Sequence, residues 1–189
     1  MRILALDPGS SVIGYAVMDG PTPAELVEAG LLRPAGWRGS PPELAAWRRI
    51  RSLAAHVAVL VDEWFSPPDR HAHRIVIEIP SGLIRTGARR GARGSLTTYG
   101  LAAGYIAATC HRGRVPVVAV TEREWTAGQG DKRARQLAIA SLYGRTYHAA
   151  RDPGADAADA IGLGRWWFAR FEARRDSEEC GATAAKVDT

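Results

Sequence analysis

Cysteine is scarce in this chain: Cys110 and Cys180 are the only two. Neither a disulfide framework nor a cysteine-rich zinc site is therefore available. No apolar stretch approaches the ~18 residues of a membrane span without a charge or a turn residue interrupting it. Met1-Arg2 leads straight into an apolar run, without the charged-then-apolar pattern of a signal peptide. These absences predict a reduced, cytoplasmic protein with no membrane contact. Another absence is local. Between Glu78 and Glu122 there is no Asp or Glu, while Arg85, Arg89, Arg90, Arg93, Arg112 and Arg114 all fall there. A one-sign stretch of that length, in a chain of net charge +5, points to an anionic partner. Clustered arginine suits the phosphates of nucleic acid.

With 189 residues, 46% of them hydrophobic, the chain can bury a real core without staples. The pattern predicts one domain over residues 1–175 and a polar tail over 176–189. Strands are expected at Arg2–Asp7, Val12–Met18 and within Glu25–Arg33, joined by short turns as an antiparallel meander. Ser40-Pro41-Pro42-Glu43 reads as a capping box opening a helix. Trp47, Ile50, Ala54, Val57, Val61 and Trp64 form one apolar stripe along it. A fourth strand covers Arg74–Ile79. A Gly/Arg loop follows to Gly94, then an uncharged helix over Ser95–His111 and a fifth strand over Val115–Val120. Asp131 caps a helix running to Tyr143, and a last helix runs from Asp156 to Arg174. The expected class is α/β. It is a five-stranded mixed sheet, three strands antiparallel and two parallel, flanked by helices.

Four acids fall where chemistry could use them. Asp7 closes the first strand, ahead of Pro8-Gly9-Ser10-Ser11, and Glu78 lies near the end of the fourth. Asp156 and Asp159, three apart, share one face of the last helix. If the first and fourth strands are neighbours, their acids meet at one sheet edge and the helix supplies the other two. Carboxylates so gathered repel unless a cation neutralises them, and an all-oxygen donor set favours Mg²⁺, with Mn²⁺ as substitute. Two such ions about 4 Å apart suit phosphodiester hydrolysis. Lys132, Arg133 and Arg135 crowd a helix N-terminus, where the dipole disfavours cations. That placement suggests use on phosphate.

Ile3-Leu4-Ala5-Leu6-Asp7-Pro8-Gly9 with Gly14, Val76-Ile77-Glu78, and Ala155-Asp156-Ala157-Ala158-Asp159-Ala160 resemble the motifs of RuvC-type Holliday-junction resolvases. The resemblance extends to about Arg170. It implies a ribonuclease-H-like fold and an endonuclease with two Mg²⁺ ions per site. It also implies a homodimer that makes paired nicks across a four-way DNA junction, with no nucleotide cofactor. Asp7, Glu78, Asp156 and Asp159 match the metal-binding acids, and Lys132 matches a lysine placed near the DNA. The helix from Ser95 would form the dimer; its Gly100, Ala103, Gly104 and Ala107 leave room for close packing there, or equally against the protein's own sheet. In one respect the chain departs from the pattern. Where relatives carry an aromatic residue after the strand glutamate, Pro80-Ser81-Gly82 stand here, and Arg85, Arg89, Arg90 and Arg93 would grip phosphate instead. Three alternatives remain. One is a related YqgF-like nuclease acting on RNA or other branched DNA. Another is a non-catalytic junction-binding protein. The third is an actin-like ATPase, for whose two-domain cleft the chain is short.

Overall fold

In a computed structural model, the structure describes residues 1–34, 42–65, 73–80 and 91–184; the side chains of 42–44, 91–97 and 172–184 are not described. The capping box at Ser40–Glu43 and most of the Arg-rich loop, including Arg85, Arg89 and Arg90, lie outside the described residues, as does the side chain of Arg93.

Three strands open the chain: β1 (Ile3–Pro8), β2 (Ile13–Met18) and β3 (Leu26–Leu32). Helix α1 (Pro42–Trp64) leads to β4 (Arg74–Ile79), and α2 (Gly91–Arg112) leads to β5 (Val117–Thr121). Helices α3 (Glu122–Thr126), α4 (Lys132–Tyr143) and α5 (Asp156–Ala184) complete the order. The sheet runs β3-β2-β1-β4-β5. β1 pairs antiparallel with β2, and β2 with β3. β4 lies parallel to β1 on its other side, and β5 parallel to β4. The mixed sheet expected from the sequence is thus present, with β1 at its centre.

Alternation decides what each strand shows to each layer. Leu4, Leu6, Ile75 and Ile77 pack beneath α1 and α2 with Ile50, Leu53, Val57 and Ile106. Ile3, Ala5 and Val76 point the other way, into a cluster with Ile161, Leu163 and Trp167 of α5. These strand residues are fully buried, each worth about 1.5–3 kcal/mol of hydrophobic stabilisation for a side chain of Val or Ile size. Two steps further along, the same α5-facing row reaches Asp7 on β1 and Glu78 on β4. The last β1–β4 pair is Leu6 with Ile77, and the acids are the next residue on each strand. The core pattern therefore delivers both carboxylates to one end of one face.

Three boundaries differ from expectation. α2 begins at Gly91, so the expected loop is shorter and Arg93 belongs to a helical turn. α5 continues to Ala184, so residues 176–184 are helical rather than a frayed tail. α3 was not expected at all. Its signal was present: Thr121 and Glu124 form a capping box, with Thr121 N–H donating to Glu124 Oε2 at 2.8 Å and Glu124 N–H to Thr121 Oγ1 at 3.3 Å. Two arginines of the one-sign stretch lie away from the acids. Arg112 and Arg114 lie where α2 ends and β5 has yet to begin, at the sheet edge opposite Asp7.

Gly14 fixes how closely α5 approaches. It pairs with Asp7 across β1–β2, and a Cβ there would stand 1.9 Å from Asp156 O and 2.8 Å from Ala157 N. Only a residue without a side chain lets the first turn of α5 rest on β2 beside Asp7. Gly14→Ala is expected to push that turn away, at a cost of about 3 kcal/mol. Urea unfolding measures this, and a variant of wild-type stability would contradict the packing described.

Candidate active site

The acids gather around a cation that the chain itself provides. Lys132, the first residue of α4, reaches over α5 toward β1. Its Nζ lies 2.8 Å from Asp156 Oδ1, 3.2 Å from Asp159 Oδ2 and 3.9 Å from Asp7 Oδ2. Asp131 holds the start of α4 in place, accepting the Ala134 N–H at 2.8 Å. Burial by itself lowers the Lys132 pKa. The hydrogen bond to Asp156 and the charges of Asp7, Asp159 and Asp156 outweigh it and raise the ammonium's pKa above its ordinary value.

Asp7 is in the opposite position. Its side chain is only 13% exposed. Burial first, then the charge of Glu78, hold its pKa well above the usual carboxylate range, and Lys132 offsets only part of this. Glu78, 7% exposed, is also raised, chiefly by burial. Two donors limit that rise. Tyr99 O–H donates to Glu78 Oε1 at 2.7 Å, and Trp125 Nε1–H donates to Oε2 at 2.7 Å. Each carboxylate oxygen thus carries one fixed hydrogen bond, which sets the group's orientation and leaves lone pairs for a further ligand. Burial and the Glu78 charge push the Tyr99 hydroxyl far up, so it stays a donor at any working pH.

Arg135 behaves differently from the sequence expectation. Its guanidinium does not face outward to meet phosphate. Nε lies 3.0 Å from Asp159 Oδ1 and Nη2 lies 3.3 Å from Oδ2, with only 9% of the side chain exposed. The guanidinium also sits 5.1 Å from the Trp125 ring centroid, within cation–π range. Trp125 therefore links two acids: its N–H holds Glu78 and its ring face supports the arginine that holds Asp159. Arg133 donates to Gln136 Oε1 at 2.5 Å.

Tyr99, Trp125 and Arg135 were not read from the sequence as holders of the acids. Asp152 was missed too. It is 2% exposed and substitutes for an N-cap on α5, because Ala155, with φ +58°, has no polar side chain to cap with. Asp152 Oδ1 accepts the Asp156 N–H at 2.9 Å. Oδ2 accepts the Ala158 N–H at 2.9 Å and the Tyr147 O–H at 2.8 Å. A buried carboxylate there satisfies helix N–H groups and complements the dipole. It also fixes the turn that carries Asp156 and Asp159.

Among the described residues, no three His, Cys, Asp or Glu side chains stand in a ready metal-holding group. The donor chemistry nonetheless fits a divalent cation. All the donors are carboxylate oxygens, three of them already surround one positive charge, and Asp7 is left under-neutralised. A hard oxygen-seeking ion suits such a set.

The raised pKa of Asp7 makes a stability prediction. An acid whose folded pKa is raised favours the fold fully below its unfolded value, near pH 4. That contribution is lost as pH climbs through the folded value. Asp7→Asn removes the charge and hence the loss. In metal-free buffer at pH 7.5 the variant is expected to melt ~2–4 °C above wild type, the shift of ~1 kcal/mol in a chain of this size. The advantage should vanish below pH 4. Melting curves across pH 3.5–8 check this, and a variant that melts lower at pH 7.5 would refute it.

No family model matches the sequence, and no curated protein matches it. Solved structures do. The fold is similar to that of T. thermophilus RuvC in complex with a Holliday junction substrate, with a TM-score of 0.60 and 17% sequence identity, covering 90% of this chain and 96% of that one. It is similar as well to a Thermus thermophilus RuvC structure, with a TM-score of 0.57 and 18% identity, covering 91% of this chain and 97% of the other. The α/β architecture, with its five-stranded mixed sheet flanked by helices, is the RuvC fold.

Proposed function

We propose that this chain is a Mg²⁺-dependent endonuclease that resolves four-way DNA junctions by paired nicks, working as a homodimer of one nuclease unit spanning about residues 1–175. One observation carries the reading. On a RuvC fold, acids from β1 and α5 enclose a single positive charge, and the β4 acid is held beside them by two fixed donors.

Asp7, Glu78, Asp156 and Asp159 would hold the divalent ions. When bound, the ions supply Lewis-acid stabilisation of the attacking and leaving oxygens. The chain's own residues then have distinct tasks. Tyr99 and Trp125 keep Glu78 from rotating, so its free lone pairs stay aimed into the cleft. Arg135 occupies one edge of Asp159 and leaves that carboxylate only part of its coordinating capacity. Lys132 is the more exposed of the two cations. Its side chain is 45% exposed, and its ammonium would be available to a phosphate oxygen and to developing negative charge. Gly9 and Gly14 keep the β1–β2 turn tight beside Asp7: Gly9 N–H donates to Val12 O at 2.8 Å.

The homodimer has its own support. α2 buries Ala102, Ala103, Ile106 and Cys110 against the protein core but leaves Leu101 50% exposed. Gly104 and Ala108 are exposed on the same side. A Cβ at Gly104 would meet nothing within 4 Å, so a second helix has room to approach closely.

The test is a labelled four-way junction incubated with the protein and Mg²⁺ or Mn²⁺, with cuts mapped on every strand. Symmetric paired nicks are expected. Asp7→Asn should lower the cleavage rate by ~10²–10³-fold or more while leaving junction affinity intact, and Lys132→Met should lower kcat with little change in Kd. A wild-type protein that binds the junction but never nicks it would leave a junction-binding protein as the reading. Preferential cutting of an RNA duplex or a flap, in the same panel, would move the assignment to a related nuclease.

A further inference from the structure

A second basic feature lies on the β3 side of the acid centre. Leu32 of β3 pairs with Ile13, and Ile13 pairs with Pro8. Arg33 therefore leaves the sheet at the same edge as Asp7. The turn before α5 folds back over this corner, anchored by Tyr147, which is 5% exposed. Between the two lies a pocket of about 240 Å³, walled by Gly30 and Leu31 and edged by Arg33, His148 and Arg151.

We propose that this pocket is a phosphate-binding subsite for a nucleic-acid strand that passes the acid centre; it rests on the nuclease reading above. Three facts support it. Arg33, His148 and Arg151 are all exposed, and among the described residues none has an acidic partner. Three other cations are paired with acids: Arg2 with Asp19, Lys132 with Asp156, Arg135 with Asp159. The single carboxylate lining the pocket, Asp152, is 2% exposed and takes its hydrogen bonds from the Tyr147 O–H and two α5 N–H groups, with no ion pair to Arg33, His148 or Arg151 among the described residues. Two guanidinium forks and an imidazole edge one concavity, and guanidinium forks are the groups best suited to phosphate oxygens.

The subsite is mechanically tied to the cutting centre. Asp152 follows Arg151 directly and accepts the Asp156 N–H at 2.9 Å. Four residues separate Arg151 from Asp156, five backbone steps and at most ~18 Å of chain. At ~3.4 Å per nucleotide along a strand, the phosphate held would lie within about five nucleotides of the scissile one. The role is grip and register, without contact to the reacting atoms.

The experiment measures junction affinity in EDTA from 50 to 200 mM salt for wild type, Arg33→Gln/Arg151→Gln, Arg33→Lys/Arg151→Lys, and, as a control, Arg51→Gln at an exposed position of α1. The slope of log K against log salt changes by ~0.9 for each phosphate that the protein no longer neutralises. The Gln pair is expected to flatten it by about 1–2 and to weaken binding about tenfold at 100 mM salt. In Mg²⁺ it should raise KM and spare kcat. The Lys pair should keep most of the slope, and the control all of it. Circular dichroism and melting curves establish that each variant is folded. Should the Gln pair melt early, the single Arg151→Gln carries the test, with a flattening of about 1 in slope. A wild-type slope in the folded Gln variant overturns the subsite. So does tight binding of inorganic phosphate at this pocket with junction affinity unchanged, which would make it a small-anion site. If wild type neither binds nor nicks the junction, the nuclease reading fails first. If wild type does both and the variants match it, only the subsite fails.

Discussion

Carboxylates packed at the end of an apolar sheet repel one another, and most of what surrounds them answers that repulsion. Asp7 and Glu78 reach their positions because they continue the buried rows of β1 and β4. The hydrophobic core that makes the sheet stable is the same force that drives two like charges together. Burial and mutual charge raise both acids out of their ordinary range. The chain counters with its own cations. Lys132 stands among three acids, and Arg135 clamps one of them. Two positive side chains against four acids leave the centre short of positive charge, a deficit that a divalent ion would make up.

Holding this arrangement together takes residues that touch no substrate. Gly14 gives α5 a place to land, and Asp152 satisfies the end of that helix. Trp125 joins the two halves, with its N–H on Glu78 and its ring face under Arg135. Removal of any of these would loosen a carboxylate without deleting it. A site built on strand and helix ends, with rotamers locked by neighbours, is how sub-ångström placement is kept.

The sheet and the four acids were legible in the sequence because both follow local periodicities. The short apolar runs Ile3–Leu6 and Ile75–Ile77, each followed by an acid, predict the strands, and the three-residue spacing of Asp156 and Asp159 predicts a shared helical side. The supporting shell was not legible, because it exists only in tertiary contact. Tyr99 lies 21 residues from Glu78 and Trp125 lies 47 away, and no local pattern links them. Arg135 departs from expectation for a related reason. A run of basic residues at a helix start shows that charge is present, but not which way each side chain turns. In the same way the acid-free stretch reads as one patch, while the fold sends Arg112 and Arg114 to the far edge. The capping box at Thr121–Glu124 is the exception, a local signal in plain view for a helix as short as α3.

The pairing of Lys132 with the acids bears on the proposed reaction. Its ammonium lies against the same oxygens of Asp7, Asp156 and Asp159 that would hold a divalent ion. The side chain is 45% exposed and rooted at the start of α4, so with the acids neutralised its ammonium would remain close by and open to a phosphate. One residue would thus have two roles: counter-ion to the acids, and phosphate contact. Arg135 does not take the second role, because its two contacts to Asp159 and its seat on Trp125 keep it in place. The division between an exposed lysine and a clamped arginine follows from their chemistry, a flexible point charge and a rigid planar fork.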